Sequence, residues 1–243
     1  LTLALTAYFP LYFMAIVLDV RTPLTLEFLT DAQLPQYTVI IPLYKEANMV
    51  AQITYAMRQI NYPSNKIEFF YVVEESDTQT YKALRKALSD ALADGTVNEK
   101  ILVVPDGTPR TKPRACNYTL AHASGDLLVI YDAEDIPHRN QFRAAASKFA
   151  RHEAHNDKSL ACLQAPLDIS LEKREGFFAR QMTLEYLHLF KFILPALDRF
   201  NIPLPLGGSS NHFRIAVLRE IYGWDSWNVT EDADIGTRMA FRG

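Results

Sequence analysis

Residues 127–135 read Leu-Leu-Val-Ile-Tyr-Asp-Ala-Glu-Asp, an apolar run that acidic residues follow at once. The run over 127–131 predicts a buried β-strand. In open sheets of parallel strands, ligands bind beyond the carboxyl ends of the strands, which is where Asp132 and Asp135 would lie. A pair of carboxylates beside so apolar a strand is unfavourable unless another charge neutralises it. The stretch therefore predicts an open sheet with a charged ligand at one edge.

Strands and helices alternate in the chain before this stretch. The pattern predicts strands over 38–41, 69–73 and 101–104, and helices over 48–60, 78–92 and 111–124. This succession predicts an α/β fold with a mostly parallel sheet and helices on both faces. The segments that follow the strands, 42–46, 74–77 and 106–107, would meet residues 132–135 at the same edge of the sheet.

The amino-terminal segment has a different character. Residues 1–18 contain no charged side chain, which predicts a transmembrane or interfacial helix over 1–20 and a linker over 21–36 before a folded domain at 37–243. A buried helix of a larger assembly remains an alternative, and a cleaved signal peptide is disfavoured because no basic region precedes the run. Since the chain starts with Leu and stops just after a strong motif, we expect it to be part of a longer protein.

Composition narrows the classes of function. The 243 residues are 49% hydrophobic and 22% charged, which is typical of a folded domain and excludes disordered or collagen-like chains. A net charge of -3 disfavours a nucleic-acid partner. The two cysteines, Cys116 and Cys162, are far apart in sequence and indicate neither a zinc site nor a disulfide framework.

Two acidic clusters could carry chemistry. Asp132 and Asp135 could hold a divalent cation, although Asp135 could instead cap a helix that starts near His138. The second cluster is at 230–234, before a predicted helix. Helix dipoles attract acidic residues, but Asp232 could also act as a general base toward an acceptor hydroxyl.

Five segments together resemble the family 2 glycosyltransferases. Val39 to Glu46 (VIIPLYKE) is similar to their opening strand, Thr111 to Asn117 (TKPRACN) to their K-x-x-x-x-N segment, and Tyr131 to Pro137 (YDAEDIP) to their metal motif. Leu206 to Arg214 (LGGSSNHFR) resembles their acceptor-side glycine segment, and Thr230 to Asp232 their TED motif. The resemblance implies a GT-A fold and an inverting transferase.

The resemblance also implies a role for each matching position. The residues that would bind the nucleotide-sugar donor are Pro42, Tyr44, Glu46, Glu74, Lys112 and Asp132. Asp132 and Asp135 would hold Mg²⁺ or Mn²⁺, and Asp232 would be the catalytic base. The acceptor would meet Gly207, Gly208, His212, Arg214 and Glu231, with a structural histidine as the alternative for His212. Where the family has D-D-G-S, this chain has Glu-Glu-Ser-Asp at 74–77, so the identity of the nucleotide base stays open.

Gln164 and the stretch 177–186 resemble the processive, polysaccharide-synthesising branch, although aromatic residues at helical spacing also suit core or membrane-surface packing. We expect a UDP-sugar donor, with glucose as the sugar, and a glycan or lipid-linked acceptor. The resemblance implies polysaccharide synthesis on the cytoplasmic face of the bacterial inner membrane. The alternatives are transfer to a polyprenyl phosphate, and a non-catalytic membrane scaffold that keeps a nucleotide-binding fold.

Overall fold

A computed structural model describes residues 27–89, 98–154, 160–167 and 176–242. Within these residues, six strands form one sheet in the order β3-β2-β1-β4-β6-β5. The strands are β1 Tyr37–Leu43, β2 Ile67–Glu74, β3 Glu99–Val104, β4 Leu127–Ile130, β5 Cys162–Gln164 and β6 Asn211–Arg214. The helices are α1 Val50–Arg58, α2 Thr78–Ala87, α3 Lys112–Leu120, α4 Gln141–Ala154, α5 Phe177–His188, α6 Leu194–Arg199, α7 Ile215–Glu220 and α8 Glu231–Ala240. A 3₁₀ turn covers Ser64–Lys66, and a π-helical turn over Leu189–Ile193 joins α5 to α6.

The sheet is parallel except at β6. Strand β1 lies in the middle, with Val39 opposite Phe69 on one side and Val129 on the other. Strand β6 pairs antiparallel with both β4 and β5. Because of this reversal, β6 starts at the carboxyl edge of β4 and runs away from it. Asn211 therefore lies at that edge, whereas Arg214 lies opposite Leu127 at the far end.

Side chains of alternate residues in the strands enter two separate apolar cores, one on each face of the sheet. Val39 and Ile41 pack against side chains of α1, α2 and α4. Ile40 faces the opposite core, which α3, α7 and α8 cover. Every residue of β2 is buried, as expected for a strand covered on both faces. The prediction of a mostly parallel sheet between two layers of helices is confirmed.

The structure departs from some of the sequence predictions and leaves others untested. The strand over 211–214 was not predicted. Helix α4 begins at Gln141, three residues beyond the predicted start near His138. The predicted membrane helix over 1–20 and residues 21–26 of the linker lie outside the described residues. None of the helices in the described part of the chain has the length and apolar content needed to cross a bilayer.

Candidate active site

A cavity of about 420 Å³ opens at the carboxyl edge of the sheet. Its walls come from the carboxyl ends of β1 and β2, from the segments that follow β1 and β4, and from residues at the start of α3 and just before it. All six side chains assigned to the donor contribute to its lining: Pro42, Tyr44, Glu46, Glu74, Lys112 and Asp132. Because parallel strands end at the same edge, the fold brings together residues that are up to 90 positions apart in the sequence.

Lys112 is the first residue of α3, and its ammonium group contacts two other segments. Its Nζ lies 2.6 Å from Oδ1 of Asp132 and donates a hydrogen bond of 2.7 Å to the carbonyl oxygen of Gly208. Burial lowers the pKa of Lys112, but the Asp132 carboxylate outweighs this effect and the pKa lies above its ordinary value. Lys112 is therefore a fixed positive charge between the metal motif and the glycine segment.

Asp132 and Asp135 form a tight turn after β4. The backbone N–H of Asp132 donates to Oδ2 of Asp135 at 2.7 Å, and the N–H of Asp135 donates to the Asp132 carbonyl at 3.1 Å. Burial raises the pKa of Asp135 to about 6, against the lowering effect of the hydrogen bond from Asp132. The Asp135 carboxylate thus bonds back to Asp132, and α4 begins only at Gln141. This geometry does not match the alternative in which Asp135 caps that helix.

The residues of this turn fit a cation that arrives with phosphate oxygens. Within the described ranges, no group of three or more His, Cys, Asp or Glu side chains is placed to hold a metal ion. Mg²⁺ is commonly held by only one or two carboxylates, with substrate phosphates and water completing the octahedron. Asp132 supplies one carboxylate at the wall of the cavity, and Asp135 supplies a second in the same turn.

Asp232 lies in the first turn of α8, on the other side of the glycine segment. A Cβ atom placed on Gly208 would be 3.6 Å from Oδ2 of Asp232. Burial raises the pKa of Asp232 to about 7; Lys112 opposes this rise, and the nearby Glu231 and Asp132 add to it. The carboxylate therefore titrates near neutral pH, which suits a general base. Gly208 accepts a hydrogen bond from Lys112 and lies near Asp232, so the predicted donor and acceptor sides meet there.

Gln164 holds the glycine segment in place. Its Oε1 accepts a hydrogen bond of 2.6 Å from the backbone N–H of Gly207, and its Nε2 donates to the Ser209 carbonyl at 3.1 Å. A Cβ on Gly207 would lie 3.0 Å from the ring of Phe190 and 3.3 Å from Oε1 of Gln164. The absence of a side chain at Gly207 therefore permits this close packing.

His212 and Arg214 do not lie with the other predicted site residues. His212 is 1% exposed, bonds to the Tyr37 hydroxyl and packs edge-on against Phe142, and burial lowers its pKa to about 3. Arg214 lies at the far end of β6, with its guanidinium 4.8 Å from the ring centre of Phe149. These positions fit structural roles, which was the alternative for His212.

Two arginines that the sequence analysis did not single out belong to the donor cavity and its surroundings. Arg110 lines the cavity and pairs with Asp106 at 2.9 Å. Arg114 lies 3.3 Å from Glu74. Burial raises the pKa of Glu74 above its ordinary value, and Arg114 opposes this rise. Both arginines flank Lys112 in the segment 110–114, and this local excess of positive charge was the available signal.

Asn117 ties α3 to the loop over 222–230. Its amide donates to the Trp224 carbonyl at 2.6 Å and accepts from the Trp224 N–H at 2.9 Å. Gly223 has a φ of +67°, and a Cβ there would lie 2.2 Å from Oδ1 of Asn117. Farther along the loop, Trp227 and Val229 are 74% and 94% exposed. The helix that carries Lys112 is thus fastened to the loop that leads to Asp232.

The sequence matches a family of known proteins. A model of the family described as "Glycosyltransferase like family 2" matches residues 35–243. The chain is 25% identical over 246 residues to the catalytic subunit of the UDP-forming cellulose synthase 1 of Komagataeibacter xylinus, covering 99% of this chain and 30% of that protein. The chain spans 30% to 47% of the length of four curated relatives.

Solved structures share the fold. A mannosyltransferase of Pyrobaculum calidifontis in complex with GDP-Man and Mn²⁺ matches with a TM-score of 0.68 and 22% identity, over 99% of this chain and 63% of that one. TarS of S. aureus in complex with UDP matches with a TM-score of 0.58 and 15% identity, over 85% of this chain and 55% of that one. The GT-A architecture predicted from the sequence is confirmed.

Proposed function

This chain belongs to the family of glycosyltransferases like family 2, and from that premise we propose that it moves a sugar from a UDP-sugar to an acceptor hydroxyl with inversion at the anomeric carbon. Membership of the family makes the chain a transferase. The nucleotide, the sugar, the stereochemistry and the residue roles are the content of the proposal.

The observation that carries the proposal is the arrangement around Lys112. Its ammonium contacts Asp132 on the donor side and the carbonyl of Gly208, which in turn adjoins Asp232. A transferase needs positive charge for the departing diphosphate and a base for the incoming hydroxyl, with both groups close to one carbon atom. Lys112 provides the positive charge and Asp232 provides the base, and both lie next to Gly208.

The proposed reaction is a single in-line displacement. Asp232 removes the proton from the acceptor hydroxyl while that oxygen bonds to the anomeric carbon. The bond between this carbon and the diphosphate oxygen breaks at the same time, and Lys112 stabilises the charge that develops on the diphosphate. A divalent cation held by Asp132 and Asp135 would neutralise further negative charge on the diphosphate. Glu231 is proposed to contact the acceptor beside Asp232.

We assign the nucleotide base to the part of the cavity near Tyr44, Glu46 and Glu74. A buried carboxylate that pairs with Arg114 can accept the N3–H of uracil, and this supports UDP. The UDP-forming relative and the UDP complex also favour UDP, whereas the GDP-Man complex makes GDP the competitor to test. Glucose follows only from the likeness to cellulose synthase.

The acceptor and cellular setting complete the proposal. We propose a glycan or lipid-linked acceptor, and a location at the cytoplasmic face of the bacterial inner membrane. The support for the membrane is the uncharged run over 1–18.

Calorimetric titration of the protein with UDP and with GDP, each with and without Mn²⁺, tests the donor site. We expect UDP to bind, and to bind more tightly with the metal. Stronger binding of GDP would refute the choice of uracil. If the folded protein binds neither nucleotide, with or without Mn²⁺, the donor site itself is refuted. A screen of UDP-sugars with glycan and polyprenyl-phosphate acceptors, with the anomeric configuration of the product determined by NMR, then tests the transfer.

A further inference from the structure

Lys112 occupies an unexpected position for a residue that is to bind the diphosphate. We propose that its ammonium group holds the place of the divalent cation on Asp132 until a nucleotide diphosphate binds, so that cation and nucleotide enter together. Until the nucleotide binds, Lys112 is then a positioning residue that acts through Asp132. This inference rests on the proposed function.

The contacts of Lys112 support this role. Its Nζ is 2.6 Å from Oδ1 of Asp132, which is the short distance of a charge-assisted hydrogen bond. The second contact, at 2.7 Å to the Gly208 carbonyl, holds the ammonium from the other side. Both oxygens are hard ligands of the kind that Mg²⁺ and Mn²⁺ prefer. A cation that binds Asp132 alone must displace the ammonium or share the oxygen with it, and two positive charges at that distance repel each other.

A nucleotide diphosphate changes the balance of charge. Lys112 lines the same cavity as Glu74 and Arg110, so phosphate oxygens within that cavity would be alternative partners for its ammonium. Once Lys112 turns to phosphate, the Asp132 carboxylate is free for a cation. Each of the two ligands therefore increases the affinity of the other, and linkage requires the two factors to be equal.

Arg110 provides a matched control for the charge of Lys112. It also lines the cavity, but its guanidinium pairs with Asp106 rather than with Asp132. Removing Arg110 takes away the same positive charge and leaves the contact with Asp132 intact. A general effect of cavity charge on metal binding would appear in both variants, whereas loss of the place-holding group would appear only at position 112.

The experiment measures the Kd of Mn²⁺ from the electron paramagnetic resonance signal of free Mn²⁺, with and without saturating UDP. The proteins are the wild type, Lys112→Met, Lys112→Gln and Arg110→Met, each checked for folding by circular dichroism. With Mn²⁺ alone, both Lys112 variants should bind at least about tenfold more tightly than the wild type. The factor by which UDP tightens Mn²⁺ binding should fall by about the same amount, and Arg110→Met should leave the Mn²⁺-only Kd within about twofold of the wild-type value.

Unchanged or weaker binding of Mn²⁺ alone by folded Lys112 variants would overturn the inference, and so would an equal gain in Arg110→Met. A second measurement uses the wild type only and follows the ¹⁵N resonance of the Lys112 ammonium. The resonance should shift when UDP and Mg²⁺ are added together, and a resonance that stays in place would also overturn the inference. Failure of the wild type to bind any nucleotide would refute the proposed function instead, and the Mn²⁺-only comparison would still test whether Lys112 occupies Asp132.

Discussion

Replacing Asp232 with Asn should strongly slow transfer and at the same time stabilise the protein at neutral pH. Burial raises the pKa of this carboxyl from 3.8 to about 7, so the folded chain holds the proton more tightly than the unfolded chain does. Relative to a neutral side chain, Asp232 therefore adds no penalty below about pH 4. The penalty grows as the pH rises toward 7 and stays constant above it. Asn resembles the protonated carboxyl and does not titrate.

The size of the effect follows from the two pKa values. Each pH unit between them changes the free energy of unfolding by about 1.4 kcal/mol, so the interval from pH 5 to pH 7 corresponds to about 2.7 kcal/mol. Asp232 is only half-buried, and screening by solvent reduces the expected difference to about 1–2 kcal/mol. The stability advantage of the Asn variant over the wild type should therefore grow by this amount between pH 5 and pH 8.

Urea unfolding of both proteins at pH 5 and pH 8 measures the difference. Asp234→Asn is the control, because Asp234 lies on the same helix and pairs with Arg238 at 2.6 Å. The control should lose about 0.5 kcal/mol or less at both pH values. In the transfer assay, Asp232→Asn should lower kcat by about 10² to 10⁴ with UDP affinity retained, and wild-type kcat/KM should rise with pH through about 7.

Two results would refute this reasoning about Asp232. An Asn variant that transfers sugar at a rate near that of the wild type would exclude the carboxylate as the base. A stability difference that stays constant from pH 5 to pH 8 would show that the carboxyl group is not desolvated in the folded protein. The second result would remove the physical reason for a neutral pKa even if activity were lost.

The remaining predictions concern the metal turn, helix packing and the loop anchor. Asp135→Ala should weaken UDP binding in the presence of Mn²⁺ by at least about tenfold, and calorimetry that gives an unchanged affinity would contradict the metal assignment. Gly236→Ala should destabilise the protein by about 1–3 kcal/mol in urea unfolding, because its Cβ would lie 2.3 Å from the Leu204 carbonyl oxygen; wild-type stability would disprove this close approach. Asn117→Ala should cost about 1–3 kcal/mol, through its lost bonds to Trp224, and lower kcat/KM as well; a destabilised variant with full activity would show that the loop does not position the site.

The fold was predictable because its strands are strongly apolar over short stretches. The run 127–131 and its counterparts in β1 and β2 alternate with helical segments, and this order alone predicts parallel pairing. Strand β6 was missed because it has four residues, including Asn211, His212 and Arg214. Its pairing depends on contacts with β4 and β5, which are far away in the sequence.

The candidate site was predictable to the extent that it depends on strand ends. Pro42 and Glu74 lie at the carboxyl ends of β1 and β2, and Asp132 follows β4, so the fold gathers them at one edge. The direction of β6 decides the positions of His212 and Arg214, and local sequence carries no information on that direction. The contact between Lys112 and the Gly208 carbonyl likewise depends on tertiary packing and on no local pattern.

The loop over 222–230 is anchored at both ends but exposed in between. Asn117 holds its beginning and α8 continues from its end, while Trp227 and Val229 project into solvent. Substitutions at these two positions remove few contacts, so a combinatorial library there should keep the melting temperature of the parent. Directed evolution could therefore explore this part of the loop, which leads to Asp232, without first having to restore stability.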